Sequence, residues 1–178
     1  MDPLAFHREA LALAQRVVDN IDRAQFELPT PCDEWNVRQV LEHMIGGNRR
    51  VASVPAAEGE EVIGDDLSAS YATSAAGAAA AFEAEGGLDR IYTLKIGEFS
   101  GHFAVRARST DQLAHAWDLA KATGMSTDLA PELYSEALEL LQGRFATVGR
   151  SPSFADEKQP LPGATAADRF AAFAGRRP

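Results

Sequence analysis

The sequence predicts an all-α protein, a four-helix bundle with a short extra C-terminal helix. Three observations predict it. Apolar residues recur at helical spacing in several long segments, as in Phe6, Ala10, Leu13, Val17 and Ile21. Helix-start and helix-stop residues flank those segments. The connections between most of them are short, which suits helices packed side by side.

The first helix is expected over about 3–21, with Pro3 at a first helical position. Residues 27–34, with Pro29, Pro31 and Cys32, read as a loop. The second helix starts sharply. Asn36 is a cap and Gln39, three residues on, completes a capping box, while Trp35 can staple onto Val40. Val37, Leu41, Met44 and Ile45 form its apolar stripe, and it runs to about residue 52. An acidic loop over 57–66 precedes an alanine-rich third helix over about 67–85, ended by Gly86-Gly87. Residues 91–99 read as one short extended stretch leading to turns at Gly97 and Gly101. The fourth helix is expected over 102–123, with Gly124 just past its end and Lys121 in its last turn. The fifth begins near Pro131 and carries Leu133, Ala137, Leu140 and Leu141. Residues 149–162 read as loop, and 167–173 as a short terminal helix.

The chain of 178 residues is enough for one domain with a real core, taken as 1–178. A net charge of −9 opposes phosphate backbones and anionic membranes. The pairs Arg49-Arg50 and Arg176-Arg177 are too short for a nucleic-acid patch. One cysteine rules out an intrachain disulfide or a cysteine-rich zinc cage. No basic start with an apolar run suggests a signal peptide, and no run nears the roughly 18 apolar residues of a membrane span. The expectation is a soluble cytoplasmic protein. The apolar faces of the first and fifth helices leave a homodimer open.

The fourth helix carries the candidate chemistry. Arg108, Asp111, His115 and Asp118 lie close to one line along it. Asp111 and His115, four apart, project from one face, and His43 on the second helix supplies a further imidazole. A carboxylate and two imidazoles make a three-ligand metal site that keeps positions open. Periodicity alone favours a plainer reading, a solvated face with Arg108 and Asp111 as a surface ion pair. His43 alone reads as a half-buried histidine near a loose helix end. The adjacent Gly46 and Gly47 cost roughly 1 kcal/mol each inside a helix, tolerable where another group must approach closely. Cys32, followed by Asp33 and Glu34, reads as structural, since nearby acids raise a thiol pKa. His7, on what reads as an exposed part of the first helix, and His102 read as inert. Trp117 reads as core. Phosphate loops, dinucleotide fingerprints, nucleophile elbows and paired-histidine zinc-protease motifs are absent.

The stretch Pro29-Thr30-Pro31-Cys32-Asp33-Glu34-Trp35-Asn36-Val37-Arg38-Gln39-Val40-Leu41-Glu42-His43-Met44-Ile45-Gly46-Gly47 resembles the N-terminal metal-binding domain of mycothiol-dependent maleylpyruvate isomerases, within the DinB-like superfamily. The segment Leu113-Ala114-His115-Ala116-Trp117-Asp118-Leu119-Ala120-Lys121-Ala122-Thr123-Gly124 resembles the same family, as does the tail from Asp168 to Arg176. The resemblance implies a DinB-like four-helix bundle and a divalent metal held by His43, Asp111 and His115. The isomerase is similar but has glutamate where this chain has Asp111, and it carries an additional C-terminal domain. The implied chemistry is attack by a metal-held thiolate of mycothiol on a small electrophile. Zinc suits the donor set, with nickel, manganese and iron as alternatives. Asp118 would orient His115, and Arg108 would contact an anionic substrate. Two other readings remain at this point: a hydrolase using metal-held water, and a metal-binding stress or regulatory module without catalysis.

Overall fold

The computed structural model describes residues 1–52, 66–94, 96–150 and 154–178. Six α-helices and one β-hairpin make up the described chain. They are α1 (Pro3–Val18), α2 (Val37–Val51), α3 (Leu67–Glu83), β1 (Ile91–Leu94), β2 (Gly97–Ser100), α4 (Gly101–Thr123), α5 (Pro131–Val148) and α6 (Ala166–Phe173). The expected acidic loop at 57–66 lies outside the described residues except for Asp66, as does part of the 149–162 loop.

Helices α1 to α4 form the bundle: α1 packs on α4 and α3, and α2 packs on α3 and α4. Helix α4 feeds all three apolar clusters, through Leu113 and Trp117, through Ala116 and Leu119, and through Ala104 and Val105. Helices α5 and α6 pack together and against the far side of α4. There the Tyr134 hydroxyl donates to the Leu113 carbonyl at 2.8 Å and the Trp117 indole donates to Asp168 at 2.9 Å. Trp117 is core, as expected, with its one polar atom satisfied. Leu133, Ala137 and Leu141 of α5 and Phe6, Ala10 and Leu13 of α1 are buried within the chain itself. Those residues are therefore used internally, in the core of the chain. Among the described residues no helix is long and apolar enough to cross a membrane.

The helix starts follow the caps. The Asn36 side chain accepts from the Gln39 amide at 2.9 Å and the Gln39 side chain accepts from the Asn36 amide at 3.0 Å, the expected capping box. Asp66 and Thr165 cap α3 and α6 with a single side-chain bond each, accepting from the Ala69 and Asp168 amides. Gly124 sits at φ +77, ending α4 where expected. Helix α1 stops at Val18, three residues short of the expectation. The Asn20 side-chain amide there donates to the Arg16 carbonyl at 2.8 Å and replaces the next helical bond. The expected single extended stretch is a hairpin, Ile91 pairing with Ser100 and Leu94 with Gly97.

His7 is a correction. It is buried, not exposed: Nδ1 lies 3.0 Å from the Ser109 hydroxyl and its ring meets the Phe82 ring edge-on. Burial, with Arg108 nearby, pushes its pKa down to about 3, so it stays neutral. His102 is exposed, with Asp89 3.9 Å from its Nε2.

The two adjacent glycines of α2 differ. A Cβ on Gly47 would lie 2.5 Å from the Arg108 guanidinium, whereas one on Gly46 meets nothing within 4 Å. The close approach is therefore at Gly47 alone. Gly47→Ala should destabilise the protein by about 1–3 kcal/mol in denaturant titrations, through overpacking. Gly46→Ala should be neutral or stabilising by up to about 1 kcal/mol, through helix propensity. Equal effects at the two positions would contradict this packing.

Candidate metal centre

The centre forms where α2 crosses α4. His43 and His115 present their Nε2 atoms on either side of Asp111 Oδ1, at 3.5 Å and 3.7 Å. The two imidazole rings meet at 72° with centroids 4.8 Å apart. One donor atom from each of the three residues falls within 4.8 Å of the others; among the described residues no other such trio occurs. A tetrahedral ion with bonds of about 2.0–2.2 Å spaces its ligand atoms roughly 3.4 Å apart. The two contacts to Asp111 nearly match that spacing. His43 Nε2 is also buried without a hydrogen-bond partner. Such an orphan costs free energy unless something fills it, and a metal ion would. The residues present thus fit a divalent ion.

Arg108, expected to contact an anionic substrate, is turned into the bundle. It is 7 % exposed, and its Nη1 donates to Asp111 Oδ2 at 2.8 Å. Nη2 donates to the Met44 carbonyl at 3.3 Å and to Asn48 Oδ1 at 3.1 Å. The Arg108–Asp111 pair exists, as the plainer reading had it, but Arg108 is buried in the bundle while Asp111 is half-buried. It rests on a polar network that the sequence reading missed. Gln112 donates to Asn48 Oδ1 at 2.9 Å, Tyr71 donates to Gln112 at 2.7 Å, and Asn48 donates to Ser74 at 3.3 Å. One signal was available: Asn48 follows Val37, Leu41, Met44 and Ile45 along the apolar stripe of α2.

The electrostatics follow from these contacts. Burial alone would raise the Asp111 pKa, but Arg108 and the two imidazoles hold it well below the usual carboxylate range. Burial pushes the His43 pKa down, against the opposing pull of Asp111. With Oδ2 occupied by Arg108, Asp111 has one oxygen, Oδ1, to give.

Asp118 lies behind His115, its Oδ2 3.1 Å from His115 Nδ1. It is fully buried and also accepts from Arg176, as Nε to Oδ1 at 3.2 Å and Nη2 to Oδ2 at 3.0 Å. Asp118 thus sits where the expected support for His115 would be. Arg176 went unnoticed as a site residue, although it ends the tail segment quoted for the family resemblance.

Trp35 closes one side. Its ring lies 4.5 Å from His43 and 5.8 Å from His115, centroid to centroid. The preceding loop is tied down, since the Thr30 hydroxyl donates to the Trp35 carbonyl at 2.7 Å and the Trp35 amide donates to the Cys32 carbonyl at 2.8 Å. Trp35 also packs on the cluster that holds Val40.

Cys32 is half-buried in the same loop. Burial first, then the Asp118 and Glu34 charges, push its thiol up to about 11. The sequence reading had the direction right from the acids next door, but burial is the larger cause. Because only the thiolate reacts, alkylation at pH 8 should run roughly 100-fold slower than for a free thiol and quicken only as pH approaches 11. A mass-spectrometric iodoacetamide time course across pH checks this; fast labelling at pH 8 would contradict it.

The comparisons with known proteins agree with this architecture. The profile of the mycothiol maleylpyruvate isomerase N-terminal domain family matches residues 7–120. Uncharacterized proteins from two strains of Mycobacterium tuberculosis are each 40% identical over 179 aligned residues, covering 99% of this chain and 98% of theirs. The crystal structure of the mycothiol-dependent maleylpyruvate isomerase superposes with a TM-score of 0.62 at 16% identity, covering 88% of this chain and 75% of that one. A histidine-to-alanine mutant of that isomerase gives the same TM-score at 15% identity. At that identity the likeness speaks to the fold. The matched profile and the bundle it describes place the chain in a family: it belongs to the mycothiol maleylpyruvate isomerase N-terminal domain family.

Proposed function

We propose that this protein is a divalent-metal-dependent enzyme that uses the small thiol mycothiol to transfer to, or isomerise, a small electrophile. The observation that carries the reading is the convergence of His43 Nε2, His115 Nε2 and Asp111 Oδ1, with His43 Nε2 buried and unpaired. Family membership supports the thiol, because the family is named for a mycothiol-dependent isomerase.

His43 and His115 would hold the ion through nitrogen and Asp111 through oxygen. Zinc suits this mixed set best, with nickel next. A divalent ion there supplies the charge that keeps a bound thiol deprotonated and nucleophilic. The chain's own groups do the rest. Arg108 keeps Asp111 Oδ2, so a single carboxylate oxygen faces the two imidazoles. Trp35 covers His43 on the side of the loop. Asp118 holds the far nitrogen of His115.

The test is turnover by zinc-loaded and nickel-loaded protein on maleylpyruvate and a panel of small electrophiles, with and without mycothiol. The expected result is product only when metal and thiol are both present, with at least a 100-fold loss in His43→Ala. Turnover undiminished without thiol would replace this reading with a metal-dependent hydrolase. No turnover and no thiol binding by metal-loaded protein would leave a non-catalytic module.

A further inference from the structure

Arg176 stands two residues from the last residue of the sequence and 58 residues beyond Asp118, yet it makes two bonds to the carboxylate behind His115. Its backbone is held in place. The Arg176 amide donates to the Ala171 carbonyl at 2.9 Å and the Gly175 amide donates to the Ala172 carbonyl at 3.0 Å. These are the paired bonds of a helix-ending loop, and Gly175 at φ +94 supplies its left-handed residue. A Cβ on Gly175 would lie 2.7 Å from the Ala155 carbonyl, so the turn is packed as well as bonded. The third nitrogen, Nη1, donates to the Ala174 carbonyl at 3.1 Å. The side chain therefore leaves a fixed turn and ends in a fixed fork.

The fork decides which atom of His115 faces Asp111. Both oxygens of Asp118 accept from Arg176, so Asp118 has no proton to give. The hydrogen in the contact between His115 Nδ1 and Asp118 Oδ2 must therefore sit on Nδ1. The lone pair of the ring is then on Nε2, the atom 3.7 Å from Asp111 Oδ1. We propose that Arg176 is a positioning residue of the metal centre: by clamping Asp118 it fixes the ring of His115 and directs Nε2 at the ion. The clamp lies outside the 7–120 stretch that the family profile matches, so the C-terminal tail completes a site built in the bundle. This rests on the metal reading of His43, Asp111 and His115.

Metal affinity tests it, with cobalt and zinc alone as probes. Dissociation constants come from competition with a chromophoric chelator, and the cobalt absorption spectrum reports ligand geometry. Circular dichroism checks that each variant is folded. Removing such an outer partner costs about 10–100-fold in metal affinity. Arg176 acts through Asp118, so Arg176→Ala should weaken both metals by about 10-fold, the low end of that range, and alter the cobalt spectrum. Arg176→Lys keeps the charge but lacks the fork, so it should recover only part of the loss. A folded Arg176→Ala protein with wild-type affinity and spectrum overturns the proposal. Should Arg176→Ala not fold, Arg176→Lys decides it, and wild-type behaviour there overturns it. The metal reading fails separately, if the wild type takes up neither metal or if His115→Ala binds as tightly as the wild type, and the proposal falls with it.

Discussion

The contact between the buried Arg108 and the half-buried Asp111 is the constraint on which the rest of the centre depends. Burying a guanidinium is costly unless its charge is matched and its donors are filled. Here Asp111 matches the charge, the Met44 carbonyl and Asn48 take Nη2, and only Nε is left without a partner. The group fits between α2 and α4 only because position 47 carries no side chain. One ion pair thereby joins the two helices that carry His43, Asp111 and His115. Aspartate is a methylene shorter than glutamate, yet Oδ1 lies within 3.7 Å of both imidazole nitrogens.

Around that pair the centre is layered. Asp111, His43 and His115 face one another. Behind them lie Arg108, which donates to Asp111 Oδ2, and Asp118, which contacts His115 Nδ1 and accepts from Arg176. The network from Asn48 through Gln112 to Tyr71 extends the support into α3. Every step is a hydrogen bond between buried groups, which rigidifies the arrangement when all partners are present. Cavity-filling and polar-to-apolar changes here act on α2, α3 and α4 together, so their effects will not add independently.

Much of this was legible in the sequence, for physical reasons. The Asn36–Gln39 box marks the start of α2 because its bonds are local. Asp111 and His115 announce a shared face because helical spacing is fixed. The Gly46-Gly47 pair signals a close approach but not which glycine allows it, since that depends on where α4 lies. His7 was misplaced because periodicity shows that a residue lies near an apolar stripe but not that Ser109 and Phe82 wait on the neighbouring helices. Arg108 reads as a surface or substrate-facing charge for the same reason: burial is a tertiary fact. Arg176 was the hardest, because its partner is 58 residues away and only the packing of α6 brings them together.

The most direct test of the central claim is a crystal structure of zinc-loaded protein with anomalous scattering measured on both sides of the zinc absorption edge. The account predicts one strong peak per chain between His43 Nε2, His115 Nε2 and Asp111 Oδ1, with Arg108 still bound to Asp111 Oδ2. A peak elsewhere, or none from protein crystallised with zinc in excess, would contradict it.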